Sequence, residues 1–338
     1  MAKPLIPVFD GHNDMLYQML RRQNYDASYF YCHEGAELCI NAEKARAGGF
    51  SGGFFALFAA SPAGLSATHP LETQTAFAQV KQMLDIADAL ACQPENQFSI
   101  IDAFTDISDS ITAGDIPAIL HLEGAEAVGS DLQNLEYLYH RGIRSIGPLW
   151  SRRNDFGEGV SFSFPGSPDE GGGLTDAGKA LVLACDEMGI MLDTSHLNEK
   201  GFWDIARLSG QRLVATHSNV HRLCPSPRNL NDRQLDAIAE RGGMVGACFA
   251  TAYLRADGQK NPDTSTDILL THIDALIQKL GEDRVGLGSD FDGAVLLSEV
   301  SDASMLPNLI RAMQKAGFGE KLITKICAQN WINFVSEI

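Results

Sequence analysis

The sequence predicts a (β/α)8 TIM barrel, and three observations carry that reading. Short apolar runs alternate eight times with longer amphipathic stretches. The glycine-rich phosphate loop common in an open doubly wound sheet is missing: neither G-x-G-x-x-G nor a P-loop occurs, and the GGG at 171–173 has no strand before it. Ionisable residues gather at the ends of the runs, where a barrel of this kind builds its site.

In chain order, the strand runs fall at 5–9, 53–58, 117–121, 143–150, 190–194, 213–216, 244–249 and 285–288. They are short and apolar, as strands buried on both faces are. In the second, FSGGFFALFAA, the glycines permit close backbone approach to the site. Helical spacing appears at 71–92, 132–140, 176–188, 200–208, 232–241, 267–280, 303–316 and 321–335. Thr175, Asn231 and Thr266 stand at helix starts, and Gly189, Gly210, Gly242 and Gly281 follow helix ends. No low-complexity tract or Pro-rich linker divides the chain, so residues 1–338 read as one domain. The segment SFSFPGSPDEGGG is a long fourth loop, read either as a lid or as an exposed insertion.

Composition narrows the function classes. The 338 residues carry 26 basic and 43 acidic side chains, a net charge of −17. That balance argues against a nucleic-acid partner, which needs clustered Lys and Arg, and against an anionic membrane surface. No apolar run reaches the roughly 18 residues of a membrane span. The N-terminus, MAKPLIPVFDGHND, lacks the pattern of a signal peptide. Seven widely spaced cysteines without C-x-x-C speak against a disulfide framework or a thiolate zinc site, and Cys185 and Cys248 sit in apolar runs as small hydrophobes. A reducing cytoplasm is the expected compartment.

The first strand runs into Asp10-Gly11-His12-Asn13-Asp14. In extended chain, residues two apart share a face, so Asp10, His12 and Asp14 can point into one mouth with Asn13 turned away. The third run ends HLEGAE with Glu123, the fifth LDTSHL with His196, the sixth VATHSN with His217, and the eighth GLGSDFDG with Asp290 and Asp292. Singly, each is more simply a hydrogen-bonded structural residue. Together, imidazoles and carboxylates suit Zn2+ or Mn2+ with no thiolate competing. One bridging carboxylate would let five ligands hold two metals.

The motifs DGHND, HLEGAE, LDTSHL, THSNVHRLCPSPRNL and VGLGSDFDG occur in order along nearly the whole chain. In them the sequence resembles the membrane dipeptidase family of metallopeptidases, within the amidohydrolase superfamily. The resemblance implies a binuclear zinc dipeptidase acting on small dipeptides. His12, Asp14 and Glu123 would hold one ion and Glu123, His196 and His217 the other; the same set also suits Mn2+ or Co2+. Two divalent ions would make a shared water acidic enough to attack a peptide carbonyl. Asp290 would carry its proton to the leaving amine, with Asp292 as runner-up, whose plainer reading is a loop cap. Arg228, in PSPRNL, would clamp the substrate's C-terminal carboxylate, its plainer reading being a surface salt bridge. Asp10 would orient a ligand histidine. A homodimer is implied by analogy only.

One departure stands out. Where the family usually ends strand four in L-T-H, this chain reads GPLWSRRNDFG, with Trp150 at the histidine's place. Three explanations compete. Arg152, Arg153 or Asn154 supplies the missing oxyanion donor, the Trp150 indole N–H supplies it, or the site is narrower and the substrate differs. Trp150 and Asn154 therefore join Arg228 as candidate substrate contacts. The alternatives are a related hydrolase of another small amide or lactone, and a non-catalytic barrel that binds metal and ligand.

The other histidines have bland readings. His33 and His69 fall in surface loops, His140 at a helix end, and His272 on a helix face. His221 lies near the mouth without a role, and His121 is a minor candidate for supporting the ligands.

Overall fold

The computed structural model describes residues 5–22, 27–31, 37–93 and 97–338; Cys32 and His33 lie outside them. Eight parallel strands form the ring: β1 Val8–Asn13, β2 Phe50–Phe58, β3 Ile116–Glu123, β4 Ile143–Gly147, β5 Met191–Leu192, β6 Val214–Ala215, β7 Met244–Cys248 and β8 Val285–Gly288. Each pairs with the next in sequence, and β8 returns to β1 with Asp10 opposite Leu287. Between the two-residue strands β5 and β6, a single bridge from Asp193 to Val214 completes the ring. The fold is thus the (β/α)8 barrel.

All eight expected runs became strands. The first is shifted: it spans Val8–Asn13, so DGHN lies inside the strand. Its pairing with β2 shifts register between Asp10 and Asn13, an irregularity of the kind that re-aims side chains beside active sites. Gly53 stands with φ +159°, and a Cβ there would sit 2.4 Å from the Asp10 carbonyl oxygen. The glycines of FSGGFF therefore serve strand-to-strand approach rather than access to the site.

Two apolar layers hold the barrel. Outside, strand residues such as Leu120, Leu122 and Val245 pack in the main core that the helices complete. Inside, Phe9, Phe54, Ile119, Met191, Val214 and Met244 fill the lower half. The expected helix at 321–335 is interrupted by a π-helical turn, Lys325–Gln329, before helix Asn330–Ser336. After that turn, Asn330 donates to the Val285 carbonyl at 2.8 Å and the fully buried Trp331 donates to Leu287 at 2.9 Å, plugging the floor. On β3 the sequence alternates, so Ile119 belongs to this floor while His121 and Glu123 stand successively higher.

Helix punctuation largely follows the sequence. Thr175 and Asn231 accept from their helices' third residues, and Asn231 with Gln234 makes a capping box. One cap differs: Ser265, not Thr266, caps helix Thr266–Leu280. Among the described residues no helix is long and apolar enough to cross a membrane.

Candidate metal centre and cleft

The strand ends bring the five expected ligands together. Glu123 Oε1 lies 3.0 Å from His196 Nε2, 3.6 Å from His217 Nε2 and 3.6 Å from His12 Nε2. His12 Nε2 is 3.5 Å from Asp14 Oδ2. The His12 and His217 rings stack at 3.8 Å, and His196 and His217 meet Nε2 to Nε2 at 3.1 Å. Two overlapping groups have ligand atoms within 4.8 Å of one another: His12, Glu123 and His217, and His12, Asp14 and Asp290. All six residues are buried.

Backbone geometry fixes these positions. His196, Asp290 and Asp292 adopt φ of +66°, +59° and +69°, three of five such non-glycine residues among those described. Side chains rarely tolerate this left-handed conformation, and it concentrates where function over-determines the backbone. Ser151 Oγ meets His196 Nδ1 at 2.8 Å, and Thr216 Oγ1 meets His217 Nδ1 at 2.9 Å. Thr216 in turn donates to Asp193 Oδ2 at 2.6 Å. With Nδ1 engaged, each Nε2 faces the centre, the arrangement that orients metal-ligating histidines. His121 also belongs to this support: its Nδ1 meets Ser145 Oγ at 2.9 Å, and its Nε2 lies 3.5 Å from Asp193 Oδ2. Sequence reasoning missed Asp193, Thr216 and Ser151. Asp193 had one signal, a carboxylate at the end of an otherwise apolar run.

Electrostatics fit a cation. Burial lifts Asp14 to about 7, and burial followed by the Asp14 charge lifts Asp290 to about 7. Burial, then Asp14 and Asp290, raises Glu123 well above the usual carboxyl range. Burial lowers His12 to about 4 and holds His196 and His217 well below the ordinary imidazole value. Neutral imidazoles beside carboxylates that lack a counter-charge are the donor set of a divalent ion. Both ring nitrogens of His12 are buried without a hydrogen-bond partner among the described residues. These residues therefore fit a metal.

Above the cluster opens a cleft of about 510 Å3, bordered by Asp14, Glu123, His196, Asp290, Trp150 and Tyr253 among others. Arg228, 4% exposed, lies 5.3 Å over the Tyr253 ring and donates to the His217 carbonyl at 3.1 Å. Its Nε has no partner among the described residues. Burial removes the surface-salt-bridge reading of this arginine.

Of the donors weighed beside Trp150, none borders the cleft. Arg152 is turned into a buried pair, its Nε 2.5 Å from Glu126 Oε1 and its Nη2 2.6 Å from the Ala59 carbonyl. Arg153 is exposed near Glu158. Asn154 donates to the Pro148 carbonyl at 2.9 Å and accepts from the Phe156 N–H at 2.9 Å, so its amide shapes the loop instead of facing substrate. Trp150 itself does border the cleft.

One carboxylate departs from its expected partner, and another takes its plainer reading. Asp10 accepts from the Ser289 N–H and hydroxyl, each at 2.7 Å, tying β1 to the end of β8 rather than orienting an imidazole. Asp292 accepts from the Cys39 N–H at 2.9 Å, the loop-capping role, although it also borders the cleft. Asn13, expected to turn away, donates to the Phe54 carbonyl at 3.0 Å. The long fourth loop is tied through Gly166 to the segment after β6: its N–H reaches the Pro225 carbonyl at 2.8 Å, and His221 Nε2 meets its carbonyl at 2.8 Å.

Comparison with known proteins identifies the family and agrees with the fold. The family model for membrane dipeptidases, peptidase family M19, matches residues 3–338. A metallopeptidase from Rhodobacter sphaeroides, crystallised with a phosphinate mimic of the dipeptide L-Ala-D-Ala, is 42% identical with a TM-score of 0.94, covering 98% of this chain and 99% of that one. A probable dipeptidase from Pseudomonas aeruginosa, PvdM, shares the fold at 23% identity and a TM-score of 0.84, over 98% of this chain and 95% of that one. An uncharacterized protein from the PQQ-III 3′ region of Acinetobacter calcoaceticus is 40% identical over 285 residues, 81% of this chain and 90% of the relative.

Proposed function

The chain belongs to the membrane dipeptidase family, peptidase family M19, and on that premise we propose that it is a binuclear zinc dipeptidase. The observation that carries the reading is the meeting of three imidazole Nε2 atoms within 3.6 Å of one carboxylate oxygen, Glu123 Oε1, beneath an open cleft. His12, Asp14 and Glu123 hold one ion; Glu123, His196 and His217 hold the second. Two divalent ions, Zn2+ with Mn2+ or Co2+ as substitutes, supply a Lewis acid for the scissile carbonyl and acidify a water.

The chain's own residues do the rest. Arg228 receives the substrate's C-terminal carboxylate from its buried seat against Tyr253. Asp290, grouped with Asp14 and His12 at the centre and with its pKa raised to about 7 by burial, takes the proton of the attacking water and returns it to the leaving amine nitrogen. Trp150 closes the side of the cleft beside His196, its ring 5.8 Å from that imidazole. The phosphinate ligand of the Rhodobacter relative supports small dipeptides, with a D-residue accepted at the second position. Six described cysteines, all free thiols, suit a cytoplasmic enzyme.

A second reading, hydrolysis of another small amide or lactone, is favoured by Trp150 alone. The test is product analysis with zinc-loaded, metal-assayed protein over a panel of L,L- and L,D-dipeptides. Full metal content with no dipeptide cleaved would sink the proposal. Turnover of a lactone or acylamino acid instead would promote the second reading.

A further inference from the structure

Four aromatic rings form an unbroken wall along one side of the cleft. Tyr17 meets Phe58 edge-on at 5.3 Å, Phe58 meets Trp150 at 4.8 Å, and Trp150 meets Phe162 at 5.4 Å. All four border the cleft. Behind the wall lies the Arg152 guanidinium, 5.3 Å from the Phe58 ring and 5.4 Å from the Trp150 ring. Its buried pair with Glu126 and its bond to Ala59 fix it there. A cation held against both rings makes the wall a rigid feature, not a chance grouping of surface aromatics.

The ring of strands says which part of a substrate meets this wall. Phe58 ends β2, and Trp150 lies three residues past the end of β4. Arg228 lies beyond β6, and Tyr253, which carries it, lies beyond β7. In an eight-membered ring, β2 stands across from β6. A dipeptide whose carboxylate sits at Arg228 therefore sends its first residue toward the β2–β4 side. Offset aromatic surface of this kind holds large apolar side chains through area burial and ring contacts.

We propose that the chain prefers dipeptides whose first residue is aromatic or large and apolar, and that Trp150 and the rings beside it set this preference. The proposal rests on the dipeptidase reading with Arg228 at the substrate carboxylate. Its test is kcat/KM for Phe-Ala, Leu-Ala, Ala-Ala and Ala-Phe with metal-loaded protein. Phe-Ala should exceed Ala-Ala by about tenfold or more, the discrimination a hydrophobic subsite supplies. Trp150→Ala should collapse that ratio to about threefold or less. Phe162→Ala, at a residue 48% exposed and so expendable for folding, should lower it less.

A wild-type ratio near one, or a ratio unmoved by both variants, overturns the proposal. A preference for Ala-Phe over Phe-Ala overturns the assignment to the first residue. If Trp150→Ala cleaves nothing, the Phe162→Ala ratio decides. If the wild type cleaves neither these four nor their counterparts with a D-residue second, the dipeptidase reading has failed. Calorimetric binding of the same peptides then decides the wall, and equal affinities overturn it.

Discussion

The Nε2 atoms of His196 and His217 face each other at 3.1 Å, with Glu123 Oε1 at 3.0 Å from the first and 3.6 Å from the second. Hydroxyls engage the opposite ring nitrogens, Ser151 on one and Thr216 on the other. Both imidazoles are thereby committed to present the same atom to one carboxylate. A shared cation satisfies such a group of donors better than any hydrogen bond among them.

Metal should therefore stabilise the fold. Chelator-stripped protein titrated with Zn2+ to about a hundredfold excess over Kd should gain about 3 kcal/mol, read as a rise in Tm. His217→Ala should lose most of that rise. A Tm indifferent to zinc in the parent protein would count against the whole ligand set.

The Asp193–Thr216–His217 relay should tune affinity without touching the ion. Thr216→Val leaves Nδ1 of His217 without its hydroxyl. Zinc affinity, measured by competition with a chromophoric chelator, should fall about 10- to 100-fold. Unchanged affinity would mean that the relay merely packs.

Arg228→Ala should discriminate between substrate ends. Cleavage of dipeptides with a free C-terminus should fall about 100-fold or more, the typical cost of leaving a buried charge unpaired. C-terminally amidated dipeptides, which bring no carboxylate, should fall far less. Equal losses on the two series would remove the clamp.

A pH effect should arise outside the ligand set. His272 accepts from the Val220 N–H at 3.2 Å and donates to the Leu254 carbonyl at 3.0 Å. Burial, reinforced by nearby Arg222, lowers its pKa to about 4. Below about 6.5 the unfolded chain takes up a proton that the folded chain refuses. Stability should thus fall from pH 6.5 toward pH 4, by about 3 kcal/mol from this residue at most. His272→Gln should start less stable at pH 8 yet lose less on acidification in denaturant melts. A parallel decline in both proteins would refute the assignment.

The legible parts of this molecule were those written locally. Eight buried parallel strands must be apolar, so their runs stood out, and Thr175 and Asn231 announced their helices. The ligands were visible because each closes such a run. What escaped was long-range pairing. Asp10 and Ser289 are 279 residues apart, and Asp193 finds Thr216 across two strands. Their side chains carry no periodic mark. Arg152 looked like a substrate donor because nothing near it in sequence reveals Glu126 as a buried partner. The first strand ran past its apolar stretch because its polar end is buried only by convergence of the other strands.

The left-handed backbone at His196, Asp290 and Asp292 sets fold and chemistry against each other. Each such residue costs the native state about 1–3 kcal/mol that glycine would not. Glycine at His196 or Asp290 should relieve that strain in the metal-stripped barrel, while giving up the metal's stabilisation and damaging the mouth. Efforts to harden this protein should begin at the Trp331 floor and leave the rim its tension.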